Sequence, residues 1–114
     1  MFVISQSETY TWPVAVQVAV SGGRFETHKF DAEFKRISQS RFKEIIDQIQ
    51  AETITDAKLA EEVVTGWKGV MDEDGKTELP FSHIALSRLL DVPAVAAAVV
   101  TAFFESRSGA KRKN

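Results

Sequence analysis

The spacing of apolar residues changes along the chain, and each change marks a new element. From Thr11 to Val20 the residues are β-branched and apolar, with Trp12, Val14, Val16, Val18 and Val20 on one parity. A period of two predicts a half-buried strand. Pro13 has no N–H for a ladder, which suits the first residues of a strand or a sheet edge. Ser21-Gly22-Gly23 then reads as a turn, because glycine takes positive φ at little cost. Two patterns overlap from Arg24 to Ile37. Phe30, Phe34 and Ile37 fit one helical face, while His28, Phe30, Ala32 and Phe34 alternate with Lys29, Asp31, Glu33 and Lys35. Ser38 favours the strand, paired with the first one. It is a good helix N-cap, and a helical period begins directly after it.

That period is Phe42, Ile45, Ile46 and Ile49, at i, i+3, i+4 and i+7. After a break at Ala51–Ile54, Thr55 or Asp56 can cap a second helix. Its apolar stripe is Leu59, Ala60, Val63, Val64 and Trp67, and Gly66 and Gly69 weaken it where it should end. Asp72-Glu73-Asp74-Gly75 is a turn signal. Ser82 caps a third helix carrying Ile84, Ala85, Leu86, Leu89 and Leu90. Asp91-Val92-Pro93 ends it, since a residue before proline avoids the helical region. Pro93 suits the first turn of a fourth helix, Ala94 to Glu105, with Val95, Val99, Val100, Phe103 and Phe104. The expected fold class is α+β, an N-terminal β-hairpin or small antiparallel sheet packed against about four α-helices. Residues 1–114 read as a single domain, with a loosely held arm at the N-terminus (residues 1–10) and a flexible basic tail from Ser106 to Asn114.

Composition narrows the function more than the fold. The chain has 114 residues, 44% hydrophobic and 26% charged, with a net charge of −2 and no cysteine. Disulfide, thiolate and zinc–thiolate chemistry are thereby excluded. No apolar run approaches the length that spans a bilayer, so no membrane partner is expected, and the N-terminus lacks the pattern of a secretory signal. Acids prevail between Glu44 and Glu78, while the end carries Arg107, Lys111, Arg112 and Lys113. Without an aromatic stacking platform, these charges read as a solubilising tail rather than a nucleic-acid site.

No catalytic, cofactor-binding or metal-binding residues are expected. His28 and His83 have no partner at a ligand or catalytic spacing. If Gly75 held the sixth place of a calcium loop, Val70 would hold the first and Phe81 the twelfth, where the loop needs an acid and a bidentate glutamate. No phosphate loop or nucleophile elbow occurs. Trp67, Leu79 and Phe81 are expected to anchor a connector between the two helical regions. Its acidic turn should project into water. Helix four is apolar on more than one face. Two readings stay open for Val95, Val99, Phe103 and Phe104: they fill the core, or they bind a partner or a second copy.

Trp67-x-Gly69-Val70-x-Asp72-x-Asp74-Gly75-x-x-x-Leu79-Pro80-Phe81-Ser82 is followed by Leu86-x-x-Leu89-Leu90, Val95-x-x-Ala98-Val99 and Ala102-Phe103-Phe104-Glu105-Ser106. This series resembles the tail assembly chaperones of long-tailed, siphovirus-like bacteriophages. The N-terminal hairpin with Phe34-Lys35-Arg36-Ile37-Ser38 is also similar to that family. The resemblance implies a non-enzymatic protein without cofactors. It would bind the tape-measure protein during tail morphogenesis, keep it soluble and help recruit tail-tube protein. It also implies self-association and association with a longer frameshifted form. It places the chain in the host cytoplasm and outside the mature virion. The alternative is a structural virion subunit, a tail-tube or head–tail connector component.

Overall fold

The structure, a computed structural model, describes residues 1–108. It is an α+β fold, with a three-stranded antiparallel sheet and four helices among those residues. Strands β1 (Thr9–Val20) and β2 (Arg24–Lys35) form the hairpin, in register from Thr9↔Lys35 to Val20↔Arg24. Gly22 and Gly23 turn it at φ 91° and 73°, which a side chain would resist. The alternation of β2 thus wins over its helical period. β1 starts at Thr9, so the arm is shorter than expected, and Glu8 already accepts from the Arg36 N–H at 2.9 Å.

Ser38, Thr55 and Ser82 cap α1 (Gln39–Gln50), α2 (Asp56–Val63) and α3 (His83–Leu90), each hydroxyl accepting from the backbone N–H three residues on. The second helix is a correction. Its apolar stripe does not continue to Trp67. The chain leaves helix after Val63 and forms β3 (Val64–Lys68), antiparallel to β2. β2 is therefore the middle strand.

β3 solves a parity problem. Val64 and Trp67 are three apart, so a regular strand would put them on opposite faces. The register shifts between Glu33 and Phe34: Ala32 faces Trp67 and Phe34 faces Val64. Thr65 is the extra residue of a bulge, and its hydroxyl donates to the Glu33 carbonyl at 3.3 Å and to Glu33 Oε1 at 2.9 Å. Val64 and Trp67 are both buried as a result.

Helix α4 (Val95–Ser108) packs between the sheet and the α2–α3 pair, burying Val95, Val99, Ala102 and Phe103 and leaving Ala97 and Thr101 exposed. The sheet face made by Val14, Val16, Ala32 and Phe34 packs on one side, and Leu59, Ala60, Val63, Ala85, Leu86 and Leu90 close the core from α2 and α3. α3 and α4 meet at 105°. Pro93 is not in the first turn of α4. Ala94 stands before the helix at φ 74°, outside helical space. No single helix among the described residues is long and apolar enough to cross a membrane.

Only Asp31–Phe34 of β2 pairs with β3, so the far half of the hairpin projects from the body and lengthens the molecule to 45 Å against 33 and 30 Å. The charge on the hairpin is inverted from the usual arrangement. The middle strand carries Arg24, Glu26, Lys29, Asp31, Glu33 and Lys35, while the edge strand β1 carries no charged residue. Edge strands are normally the ones protected by charge.

Candidate functional site

The stretch after β3 forms a built connector. Leu79 N–H donates to the Val70 carbonyl at 2.7 Å and Asp72 N–H to Thr77 at 2.7 Å, around the isolated bridge Met71↔Glu78. The Trp67 indole N–H donates to the Leu79 carbonyl at 2.7 Å, and its ring meets Phe81 edge-on at 4.9 Å. The three expected anchors are thus brought together. Trp67 is buried, and Leu79 and Phe81 pack half-buried against the core.

The acidic turn is exposed at Glu73 and Asp74 and half-buried at Asp72. The Asp74 carboxylate accepts from the backbone N–H of Thr77 and Lys76 and from the Thr77 hydroxyl, at 2.7–2.8 Å. These bonds hold its carboxyl below the usual range, the Thr77 N–H contributing most. The carboxylate is a turn-builder. Among the described residues, no three His, Asp or Glu side chains gather as metal ligands.

The expected protein-binding residues do not form a surface. Val95, Val99 and Phe103 are buried at 3%, 1% and 0% exposure. A helix that is apolar all round is a buried one, and α4 has the sheet on one side and α2 and α3 on the other. Phe103 is edge-on to Phe34 at 5.3 Å. Phe104 remains half-buried, edge-on to Phe42 at 5.5 Å. The core-filling reading therefore holds for the first three, and a partner would meet only Phe104 of the set.

A concave surface lies elsewhere. An open groove of about 1050 Å³ runs beside the N-terminal arm, lined by Phe2, Ile4, Tyr10, Trp12, Ile37 and Arg107 among others. β1 supplies Tyr10 and Trp12, the β2–α1 link supplies Arg36 and Ile37, and the end of α4 supplies Ser106 and Arg107. Its floor is tied across the fold. Tyr10 and Ser106 share a hydroxyl–hydroxyl bond at 2.7 Å, and Arg36 lies over the Tyr10 ring at 4.7 Å. Arg107 donates to the Ile37 carbonyl at 3.2 Å and to Gln39 Oε1 at 3.3 Å, and stacks 4.2 Å from the Phe42 ring centre.

Sequence reasoning missed this groove because it treated both chain ends as loose. α4 runs to Ser108, so Ser106 and Arg107 belong to the fold and not to a tail. Lys111, Arg112, Lys113 and Asn114 lie outside the described residues. One signal was present: Met1-Phe2-Val3-Ile4 is a run of four apolar residues, of which Phe2 and Ile4 are 83% and 93% exposed.

A second tie joins α1 to α2. Arg41 donates to both Glu62 oxygens, at 2.7 and 2.6 Å, and also meets Glu44 at 3.2 Å. The two-pronged bond from Arg41 holds the Glu62 carboxyl below the usual range, and Glu62 in turn raises the guanidinium. Both side chains are about 30% exposed, 31% and 27%, so the pair is structural.

Comparison with known proteins gives no match. No family model, curated protein or solved structure matches the chain.

Proposed function

We infer that this protein is a non-enzymatic assembly chaperone for the tails of long-tailed bacteriophages. It binds the tape-measure protein in the host cytoplasm, keeps its apolar helices apart, and yields to tail-tube subunits. The resemblance carried by Trp67–Ser82 and the last two helices supports the identity. The observation that carries the mechanism is the groove beside the arm, an open surface of mixed polarity in which Phe2, Ile4, Trp12 and Ile37 stand among polar side chains, and which the fold's own core does not fill. An α-helix is about 10 Å wide with a 5.4 Å pitch, so the groove has room for roughly two turns of one. Phe2 and Ile4 on the arm would close over its apolar face, in the manner of helix-in-groove recognition. A holdase also has to stay soluble, and the exposed acids around Glu73 and Asp74 serve that.

The test is co-expression with the tape-measure protein of the same tail, reading its soluble fraction. Phe2→Ser with Ile4→Ser alters only exposed side chains, so the fold should persist. The soluble tape measure should then fall severalfold. An unchanged soluble fraction, with a circular dichroism spectrum like that of the parent, refutes the groove. Purified particles should lack the chain. Its presence there at stoichiometric level would favour a structural virion subunit instead.

A further inference from the structure

The free edge of β1 carries a second interaction surface, independent of the groove and of the functional reading above. Residues Val14-Ala15-Val16-Gln17-Val18-Ala19-Val20 read the same in both directions. They lie on an edge strand, paired with β2 on one side only, and no backbone bond among the described residues ties them to any other element. No charge occurs along Thr9–Val20, while the charged strand is held inside the sheet.

We propose that β1 pairs antiparallel with β1 of a second copy of this chain, about a twofold axis through Gln17, giving one continuous six-stranded sheet. In an isologous contact each residue meets its symmetry mate's counterpart. With the axis at Gln17, Val14 faces Val20, Ala15 faces Ala19, Val16 faces Val18 and Gln17 faces Gln17 of the second copy. Every opposed pair is therefore of one residue type, with no size mismatch. No like charges oppose one another, which would destabilise a directly opposed pair.

The limits of the stretch agree. In this register Pro13, which cannot donate to a ladder, falls opposite Ser21 of the turn, just outside the paired residues. The valines also gain. Val14 and Val16 are buried under the body of their own copy, whereas Val18 and Val20 on the projecting half are half-exposed. Pairing sets Val18 and Val20 of each copy beside Val16 and Val14 of the other. The apolar row of one inner face then runs into the next. A different partner strand would have no reason to match a palindrome, which is why the occupant is a second copy.

Gln17 gives a clean test, because its side chain is exposed and, among the described residues, bonds only Thr27 Oγ1, at 2.9 Å on the neighbouring strand. Sedimentation equilibrium on the full chain should show a dimer. Gln17→Lys places two like charges on the axis and should give a monomer with an unchanged circular dichroism spectrum. Thr27→Lys removes the same hydrogen bond and puts a charge on the same face, one strand in from the edge, and should remain dimeric. Opposed residues across an antiparallel pair have Cα atoms about 4.5–5.5 Å apart, within disulfide reach. The chain has no cysteine of its own, so Gln17→Cys should cross-link to a dimer on oxidation and Thr27→Cys should not. A monomeric parent chain, a dimer that survives Gln17→Lys, or a Gln17→Cys chain that fails to cross-link overturns the proposal. Loss of the dimer in Thr27→Lys as well would place the contact on the outer sheet face and also overturn it.

Discussion

At the residue scale, the connector's stability is concentrated in Trp67. The side chain is 9% exposed, its N–H is bonded to Leu79, and its ring is set against Phe81. Trp67→Ala removes packing and leaves a cavity, and should cost about 3–5 kcal/mol in a urea titration. Trp67→Phe keeps most of the packing but strands the Leu79 carbonyl, and should cost about 1–2 kcal/mol. Equal losses for the two would mean that the hydrogen bond, not the ring, holds the connector. Glu62 gives a prediction in pH. Its carboxyl is held below the usual range in the folded protein, so folding favours the ionised form. That contribution is fully present above the unfolded carboxylate pKa, about 4.3, and is lost as pH falls through the lower folded value. Glu62→Gln should therefore destabilise by about 1 kcal/mol at neutral pH, between an exposed pair and a charged hydrogen bond. The gap to the parent should narrow toward pH 3. A gap that stays constant from pH 7 to pH 3 would show that the loss is in packing and not in charge.

At the element scale, the caps and the alternating hairpin were legible because local residues decided them: Ser38 and Ser82 for two helix starts, Thr55 or Asp56 for a third, where Thr55 proves to be the cap, and the Gly22-Gly23 pair for the turn. The third strand was not, for a physical reason. Val63, Val64 and Trp67 look like one helical stripe, yet Val63 ends α2, and only a bulge makes Val64 and Trp67 face one way in the strand that follows. Periodicity cannot reveal a bulge, since the bulge breaks the period. Deleting Thr65 tests this. Val64 and Trp67 would then be two apart, so a regular strand would face both inward in the same pairings, Phe34↔Val64, Glu33↔Gly66 and Ala32↔Trp67. The protein should keep its fold with a loss of about 1–2 kcal/mol, while Thr65→Ser should lose well under 1 kcal/mol. Failure to fold would show that the bulge does more than restore parity. The end of α1 falls at the expected break, Ala51–Ile54, but the geometry of that end was not legible. Thr53 N–H bonds the Gln48 carbonyl and Glu52 N–H the Ile49 carbonyl, with Glu52 at φ 57°. This is a helix end of the kind where glycine is usual, but a glutamate occupies it and gave no signal. Glu52→Gly should stabilise the chain by about 0.5–1 kcal/mol, read as an upward shift in melting temperature. A downward shift would mean that the strain at Glu52 is compensated by its side chain.

At the scale of the whole molecule, the apolar surface expected on α4 is largely buried, with Val95, Val99 and Phe103 in the core. α4 appeared to have too many apolar faces for one core. In the fold it buries Val95, Val99, Ala102 and Phe103 between the sheet and the α2–α3 pair, and exposed apolar side chains lie on the arm, in the groove and along the edge of β1. The groove also has a sign. The chain is acidic overall, with a net charge of −2, yet Arg36 and Arg107 flank the groove and only Glu8 opposes them among its lining residues. Arg107 is already engaged with Ile37, Gln39 and the Phe42 ring, whereas Arg36 is exposed and, among the described residues, its guanidinium meets only the Tyr10 ring. On the proposed reading, Arg36 is the charge that meets the client, and it should favour amphipathic helices with acidic residues flanking the apolar stripe. Exposed charges act across a Debye length of about 8 Å at physiological salt and about 3 Å at 1 M. Client binding should therefore weaken as salt rises but persist, because its apolar part is not screened. Arg36→Glu should lower affinity for a tape-measure fragment severalfold at low salt and little at 1 M. Arg24→Glu, the same charge change at the far end of the hairpin, should have no effect at either. If Arg24→Glu weakens binding as much as Arg36→Glu, the attraction belongs to net charge and not to the groove. If neither variant changes binding, the client sits on a different surface and the arginine lip is structural.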